Sequence, residues 1–489
     1  MSTPLLLVLA LFLLILYFKY SRKAYEEFWR HLYAIPGPKL WPYLGDLNFF
    51  ESSEALWKVD RKRSKEFYPI YKLWSLNVGM VHVFNPDDME LILSNSKYNQ
   101  KSFFYSLLHD WLGTGLLTSS GEKWHRRRKI LTPAFHFNIL QEFTEMLNKE
   151  TLLLVDNLKP MCSYPYVNVI KPITEFTLYS IGETALGVPL REDPKCNEYK
   201  QAVYDYGEHF IYRATRPWLY SPFIFKFSDI YNQYCKGVKA LRDFSTNVIE
   251  QKKKLQNGMS YAQSKRLALL DLMLKAKADG ADIDDDGIRE ELDTFIFEGH
   301  DTTSMSICYT LMLLANHKNI QEEIYEEIVS VIGPTESPTY KDLGDLKFME
   351  RCIKESLRLY PSVPTIGRVA TENLETHTGY IIPKGCNVSL GIFDMHRSPQ
   401  VWEDPEKFDP DRFLPDNVAK RHPFAYLPFS AGGRNCIGQK FALLEIKAVL
   451  CGILRNFKLE PYDRPEHLVF KADLVLRPFD EIRVKFEPR

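Results

Sequence analysis

Followed for the spacing of its apolar positions, the chain falls into three unequal stretches. Leu5 to Phe18 is apolar and uncharged without a break, and Lys19, Arg22 and Lys23 follow it. Taken as helix from Ser2 to Lys19, the run rises about 27 Å, enough to cross a thin bilayer with Lys19 reaching back to the interface. A cleaved signal peptide wants positive charge before the run and small residues at its end, and this stretch has neither. Charge after the run keeps that side cytosolic. Residues 1–20 are therefore predicted to be a permanent transmembrane anchor, with the body of the protein on the cytosolic face. Residues 21–35 are expected to link it to the globule, charged and helical from Ala24 to His31.

Next comes "IPGPKLWPYLGDL", in which Pro36, Pro38 and Pro42 forbid helix and restrict the residues before them, a stiff hinge. "IYKLWSLNVGMVHVF" alternates in part around Asn77-Val78-Gly79 and predicts a β-hairpin. From about Pro86 to Tyr360 the apolar residues keep helical spacing, with breaks at Lys252–Gly258, Asp279–Asp286 and Gly333–Pro338. The last third mixes short strands, Pro-rich loops and one more helix. The fold class expected is mainly α with small β-sheets, in one large domain over residues 36–489.

Composition narrows this picture. A formal net charge of −1 over 489 residues gives no general basic footprint, so nucleic acid is not an expected partner. The eight cysteines are scattered, with no CxxC pair and no zinc spacing, and the histidines form no HExxH. A reducing compartment with mostly buried cysteines follows. "GTGLLT" (Gly113 to Thr118) starts like a dinucleotide fingerprint but lacks its third glycine. "WHRRRK" (Trp124 to Lys129) is a dense basic run, by composition a solvated helix face first and an anion site second.

One cysteine stands apart. In "FSAGGRNCIG" (Phe429 to Gly438), glycines surround Arg434 and Cys436, and an amphipathic helix follows. A cysteine just before a helix N-terminus lies near free amide donors and the positive end of the dipole, which favours its thiolate. Arg434, two residues away, suits a bidentate clamp on an acidic group. An axial thiolate and an arginine for a propionate are what a haem needs.

The pattern FxxGxRxCxG, at Phe429, Gly432, Arg434, Cys436 and Gly438, resembles the haem-binding signature of the cytochrome P-450 superfamily. "ESLR" (Glu355 to Arg358) is similar to the family's ExxR, "FDPDRF" supplies the downstream Arg412, and "IPGPKLWPYLG" resembles the hinge behind its membrane anchor. The resemblance implies the cytochrome P-450 fold with an N-terminal membrane-anchor helix. It implies haem (heme b, iron protoporphyrin IX) with Cys436 as axial thiolate and metal ligand. Arg434, Trp124 and Arg128 would reach the propionates. Arg368 falls where the family has another such contact, an ordinary strand-end charge being the alternative. Glu355, Arg358 and Arg412 are assigned to folding. Arg126, Arg127, Lys129 and Lys440 would lie on the cysteine side, the face that docks an acidic electron donor.

The same resemblance places "DTFIFEGHDTTS" (Asp293 to Ser304) on the helix across the oxygen-binding face. Asp301 and Thr302 match the family's catalytic acid–alcohol pair, which delivers protons; a back-bond from Thr302 to its own helix is the competing role. Glu298 stands where the superfamily usually has alanine, on the Thr302 face. "FEGHDTT" is similar to family 4, the fatty-acid ω-hydroxylases, where this glutamate can be ester-linked to a haem methyl. The expectation is that ester, with pairing to a nearby base as the alternative. Lys101 to Leu117 and Tyr212 to Phe227, rich in aromatics and leucine, would line an apolar pocket, the second also resting on membrane lipid. Arg213 or Arg216 would anchor a fatty-acid carboxylate. Implied partners are a lipophilic small-molecule substrate, NADPH-cytochrome reductase and cytochrome b5, at the endoplasmic reticulum membrane. Other lipids or foreign compounds are the alternative substrates, and a reductase-independent lipid-peroxide isomerase is the alternative activity.

Overall fold

The computed structural model describes residues 12–13, 15–17, 19–23, 25–46, 52–256 and 268–489. Most of the apolar run Leu5–Phe18 therefore lies outside the described residues, as does part of the break expected at Lys252–Gly258. Among the described residues no helix is long and apolar enough to cross a membrane.

The stretch expected as a linker carries a helix, Glu26–Ala34 (α1), which buries Trp29 and Leu32 in a smaller core with the sheet. After the hinge, Ser53–Glu66 (α2) starts on a Ser52 cap whose side chain accepts from the Ala55 amide. The predicted hairpin is present: Ile70–Ser75 (β1) pairs antiparallel with Val78–Val83 (β2). Gly121–Leu131 (α3) carries the basic run, and Phe137–Leu158 (α4) and Ile170–Ile181 (α5) follow. The axis of the molecule is Asp285–Asn316 (α6), whose 32 residues rise about 48 Å. Its N-cap Asp284 accepts from the Gly287 amide at 2.8 Å, which fixes its start where the sequence changes from acidic to apolar. Buried side chains run round most of its circumference, so it packs as an interior helix rather than an amphipathic one.

Lys347–Leu359 (α7) leads into Thr365–Val369 (β3) and Asn387–Gly391 (β4), which complete a four-stranded sheet in the order β1–β2–β4–β3. The β2–β4 pair is parallel and β3–β4 antiparallel. Gln439–Asn456 (α8) follows the cysteine loop and packs in the main core with α4, α5 and α6.

The ExxR pair is buried to 0% exposure at both side chains. Arg358 Nε and Nη2 donate to the two Glu355 oxygens at 2.8 and 2.7 Å, and its remaining donors take the carbonyls of His396, Pro405 and Lys407. Arg412 closes on Glu355 at 3.3 Å. Every charge here is answered, which is what burial requires. Arg358→Ala should strip the buried Glu355 carboxylate of its two shortest contacts and leave it only the longer Arg412 contact and the Asp409 amide, a loss of about 3 kcal/mol. Denaturant titration of the purified variant checks this, and an unchanged midpoint would refute the structural role.

Candidate active site

Three segments far apart in sequence meet around Cys436. The first is the loop Phe429–Gly438. Its Cys436 amide donates to the Phe429 carbonyl at 2.9 Å, and Gly432 takes φ +69°, where an added Cβ would collide with the Leu93 carbonyl. Only glycine allows that approach. The Cys436 sulfur receives the backbone amides of Gly438 and Gln439 at the start of α8. The thiol is accessible, yet protein crowds it enough to desolvate a thiolate. Burial, reinforced by Glu298, pushes it up to about 11 against the pull of the amides and Arg128. The sequence argument favoured the thiolate from the helix dipole; desolvation outweighs that dipole until a cation arrives.

The second segment, α3 and the turn before it, supplies the walls. Trp124 is buried, with the Arg434 guanidinium 4.5 Å from its ring centroid. Arg434 donates to the carbonyls of Leu116 and Ser119 and to Ser120 Oγ, while its Nε is buried without a hydrogen-bond partner. Arg128 grips the cysteine loop through the Asn435 carbonyl and side-chain oxygen, both at 3.0 Å. Arg368 on β3 is buried and donates to the Gly367 carbonyl.

Burial and its neighbour Arg368 push Arg434 down to about 10, and burial lowers Arg368 too. Lys101 joins them: burial, Arg368 and Arg434 drive its amine well down, and only Glu298 opposes. Sequence reasoning missed Lys101 as a site residue, because a lone lysine before an aromatic loop carries no motif. Lys101, Arg368, Arg434 and Arg128 have no carboxylate ion-pair partner among the described residues. Clustered cations in an interior call for an anionic ligand.

The third segment is α6. Glu298 and Thr302 lie on one face, in the wall of a cavity of about 400 Å3 that is also lined by Phe297, Leu108, Phe210 and Val363. Burial pushes Glu298 up to about 7, with Lys101 pulling the other way. Its carboxylate makes no hydrogen bond or ion pair with a described residue, so the base expected as an alternative partner is nearby but not in contact. Thr302 Oγ1 donates to the Glu298 carbonyl at 2.7 Å, the competing back-bond made real. Asp301 turns off the cavity: its Oδ2 lies 2.6 Å from Arg477 Nη2, and Arg477 also holds Asp473, which lines the cavity wall.

The other sequence candidates are redistributed. Arg213 is buried against Asp110 and the Leu219 carbonyl, and Arg216 bonds to the Tyr212 carbonyl; neither lines the cavity. Arg127 is buried beside Glu291, and Arg126 pairs with Asp282 at 3.1 Å, so of the basic run and its companion only Lys129 and Lys440 stand exposed and unpaired among the described residues.

A thiol under two amides, beside buried arginines that lack an anion and a long helix with an acid–alcohol pair, matches one family model, cytochrome P-450, over residues 35–486. The chain belongs to the cytochrome P-450 family. It is 41% identical to cytochrome P-450 4c3 of Drosophila melanogaster, covering 94% of this chain and 90% of that one. It is 38% identical to cytochrome P-450 4V2 of Rattus norvegicus (95% and 92%) and 37% identical to cytochrome P-450 4c21 of Blattella germanica (99% and 98%). These relatives place it with family 4. As a P-450 it is a monooxygenase that takes haem through an axial cysteine thiolate, draws electrons from a redox partner and acts on lipophilic substrates. The residues present fit that group: a thiol for the iron, and unanswered cations, one with an orphaned buried Nε, for its two carboxylates.

In protein freed of haem, the alkylation rate of Cys436 should climb with pH towards about 11. Iodoacetamide labelling followed by mass spectrometry tests this; a plateau already reached at neutral pH would contradict the desolvated thiol, and added haem should protect this cysteine.

Proposed function

We propose that this P-450 hydroxylates fatty acids or related lipophiles at or near the terminal carbon. The observation that carries the reading is the largely apolar cavity lined by Glu298 and Thr302 in a family-4 chain. A saturated chain threaded there meets phenylalanine, leucine and valine side chains along its length and offers its far methyl to the reacting end. Bound haem supplies activation of O2 and insertion of one oxygen atom into a C–H bond.

In this reading Cys436 would hold the haem iron through its thiolate. Arg434, Arg368 and Lys101 answer the propionates, Trp124 walls Arg434, and Arg128 fixes the ligand loop. Thr302 delivers a proton by exchanging its bond to the Glu298 carbonyl. Asp301 feeds it from the buried Arg477–Asp473 relay. The Glu298 carboxyl would be ester-linked to a haem methyl, the methyl losing a C–H hydrogen and the carboxyl its proton in a two-electron oxidation driven by the enzyme's own reductive activation of O2, and this would remove the cost of a buried acid without a partner. Electrons come from NADPH through its cytochrome reductase, with cytochrome b5 as a second donor. The protein sits at the endoplasmic reticulum membrane with its catalytic domain in the cytosol; the apolar run at Leu5–Phe18 and the exposed Phe223, Ile224 and Phe227 support this placement.

Turnover of a fatty-acid panel with reductase and NADPH, products sorted by carbon position, is the test. Terminal alcohols are expected; an intact reduced-CO spectrum with no NADPH-dependent product from any acid would refute the fatty-acid reading. After acid–organic extraction, haem should stay with the wild-type polypeptide and leave a Glu298→Ala variant. Retention by that variant would rule out the ester.

A further inference from the structure

Part of the cavity wall is built of different material. It is made by α2, β1, β2 and the short helix Ile392–Met395, and it carries Asp46, Asp60, Arg61, Arg63, His82 and Asp394. Arg63 is taken by Asp46 at 2.6 Å. Arg61 Nε lies 3.0 Å from Asp394 Oδ1, which also accepts from Ser64 Oγ at 2.6 Å. Two guanidinium groups thus meet two carboxylates. Asp60 is a third acid, and among the described residues nothing gives it an ion pair or hydrogen bond.

Several polar atoms here are left over. Arg61 Nη1, His82 Nε2 and Asp394 Oδ2 are buried without hydrogen-bond partners, and the Asp394 side chain is only 9% exposed. Buried polar groups are rarely left so, because each costs its desolvation. A donor and several acceptors, gathered in one polar stretch of an otherwise largely apolar wall, describe a place for the head end of an apolar chain.

We propose that this stretch is a head-group subsite for an uncharged group that both donates and accepts hydrogen bonds, the hydroxyl or primary amide of a long-chain alcohol or amide, with Arg61 donating to it and Asp60 accepting from it. This rests on the reading of the cavity as a lipid site and adds which head the preferred chain carries. Charge decides against a carboxylate. Asp46, Asp60 and Asp394 against Arg61 and Arg63 leave one negative charge in excess, and an acid substrate would bring another beside Asp60. His82 cannot offset it, since burial, Arg63 and Arg61 hold it down at about 3. Tyr71, on the neighbouring strand, is held neutral by burial and by Asp60. Asp60 itself is pushed up to about 6 by burial, with Arg61 and Arg63 pulling it down and Asp394 and Asp46 pushing it up. Repulsion of a carboxylate head is therefore present above that pH and fades as the pH falls through it.

The test is equilibrium binding of dodecanoic acid, dodecan-1-ol, dodecanamide and dodecane to the holoenzyme. At about pH 7.5 the alcohol and the amide should bind about tenfold tighter than the acid, the size expected of one unfavourable charge contact. Asp60→Asn, which keeps the shape, should bring the acid level with them and remove the rise in its affinity between about pH 7.5 and 5.5. Arg61→Gln should weaken the alcohol and the amide and leave dodecane unchanged. Equal binding of all three polar-headed probes in the wild type, unaltered by Asp60→Asn, would overturn the subsite while leaving a lipid hydroxylase intact. Failure of all four probes to bind an intact holoenzyme would instead overturn the lipid reading on which it rests.

Discussion

A guanidinium group taken out of water must be answered by an anion or by carbonyls, and the way each buried arginine meets that demand organises this molecule. Arg358 is answered in full, by Glu355 and by three backbone carbonyls, and so the chain from α7 to the Pro-rich segment around Pro405 is tied into one body. Arg434 and Arg368 are answered only in part, by carbonyls, and they stand with Lys101 around the space next to Cys436. The first arrangement is complete in the polypeptide. The second has the charge that a dicarboxylate group such as haem would complete, so the same physical rule separates the residues that hold the fold from those proposed to hold the cofactor.

The long helix α6 brings both jobs together. Glu290 and Glu291 accept the amides of Thr114 and Leu116 at 2.9 Å, and the carbonyls of Leu116 and Ser119 in turn hold Arg434. The helix that carries Glu298 and Thr302 thus also positions, through one loop, Arg434 in the cysteine loop. At Gly299 it approaches α5 so closely that a Cβ would meet Ile181 Cδ1 at 2.8 Å. Its rotation is therefore set by packing, which keeps Glu298 on the cavity and turns Asp301 towards Arg477.

Legibility in the sequence followed locality. The cysteine loop, the ExxR pair, the hairpin at Asn77–Gly79 and the start of α6 were readable because their chemistry is spelled within ten residues or so. Lys101, the Arg477 partner of Asp301 and the polar stretch at Asp60 and Arg61 were not, since each depends on a neighbour more than a hundred residues away. Arg213 and Arg216 were plausible anchors by composition, but their charge is spent on Asp110 and on backbone within their own neighbourhood. Thr302 shows the limit from the other side: the pairing with Asp301 was visible, whereas the hydroxyl's present partner is decided by local helix geometry.

Arg434 and Leu116 are 318 residues apart, and they bond directly at the wall of the cofactor site. A growing chain therefore makes the loop that receives Arg434 long before it makes Arg434 or the cysteine. Throughout synthesis of the intervening helices the Leu116 and Ser119 carbonyls and Trp124 must wait for Arg434, and the thiol proposed to hold the haem iron is absent until the loop Phe429–Gly438 arrives. Completion of this wall is thus a late event in the life of the nascent chain, because its first half is synthesised, and free to fold, long before its second.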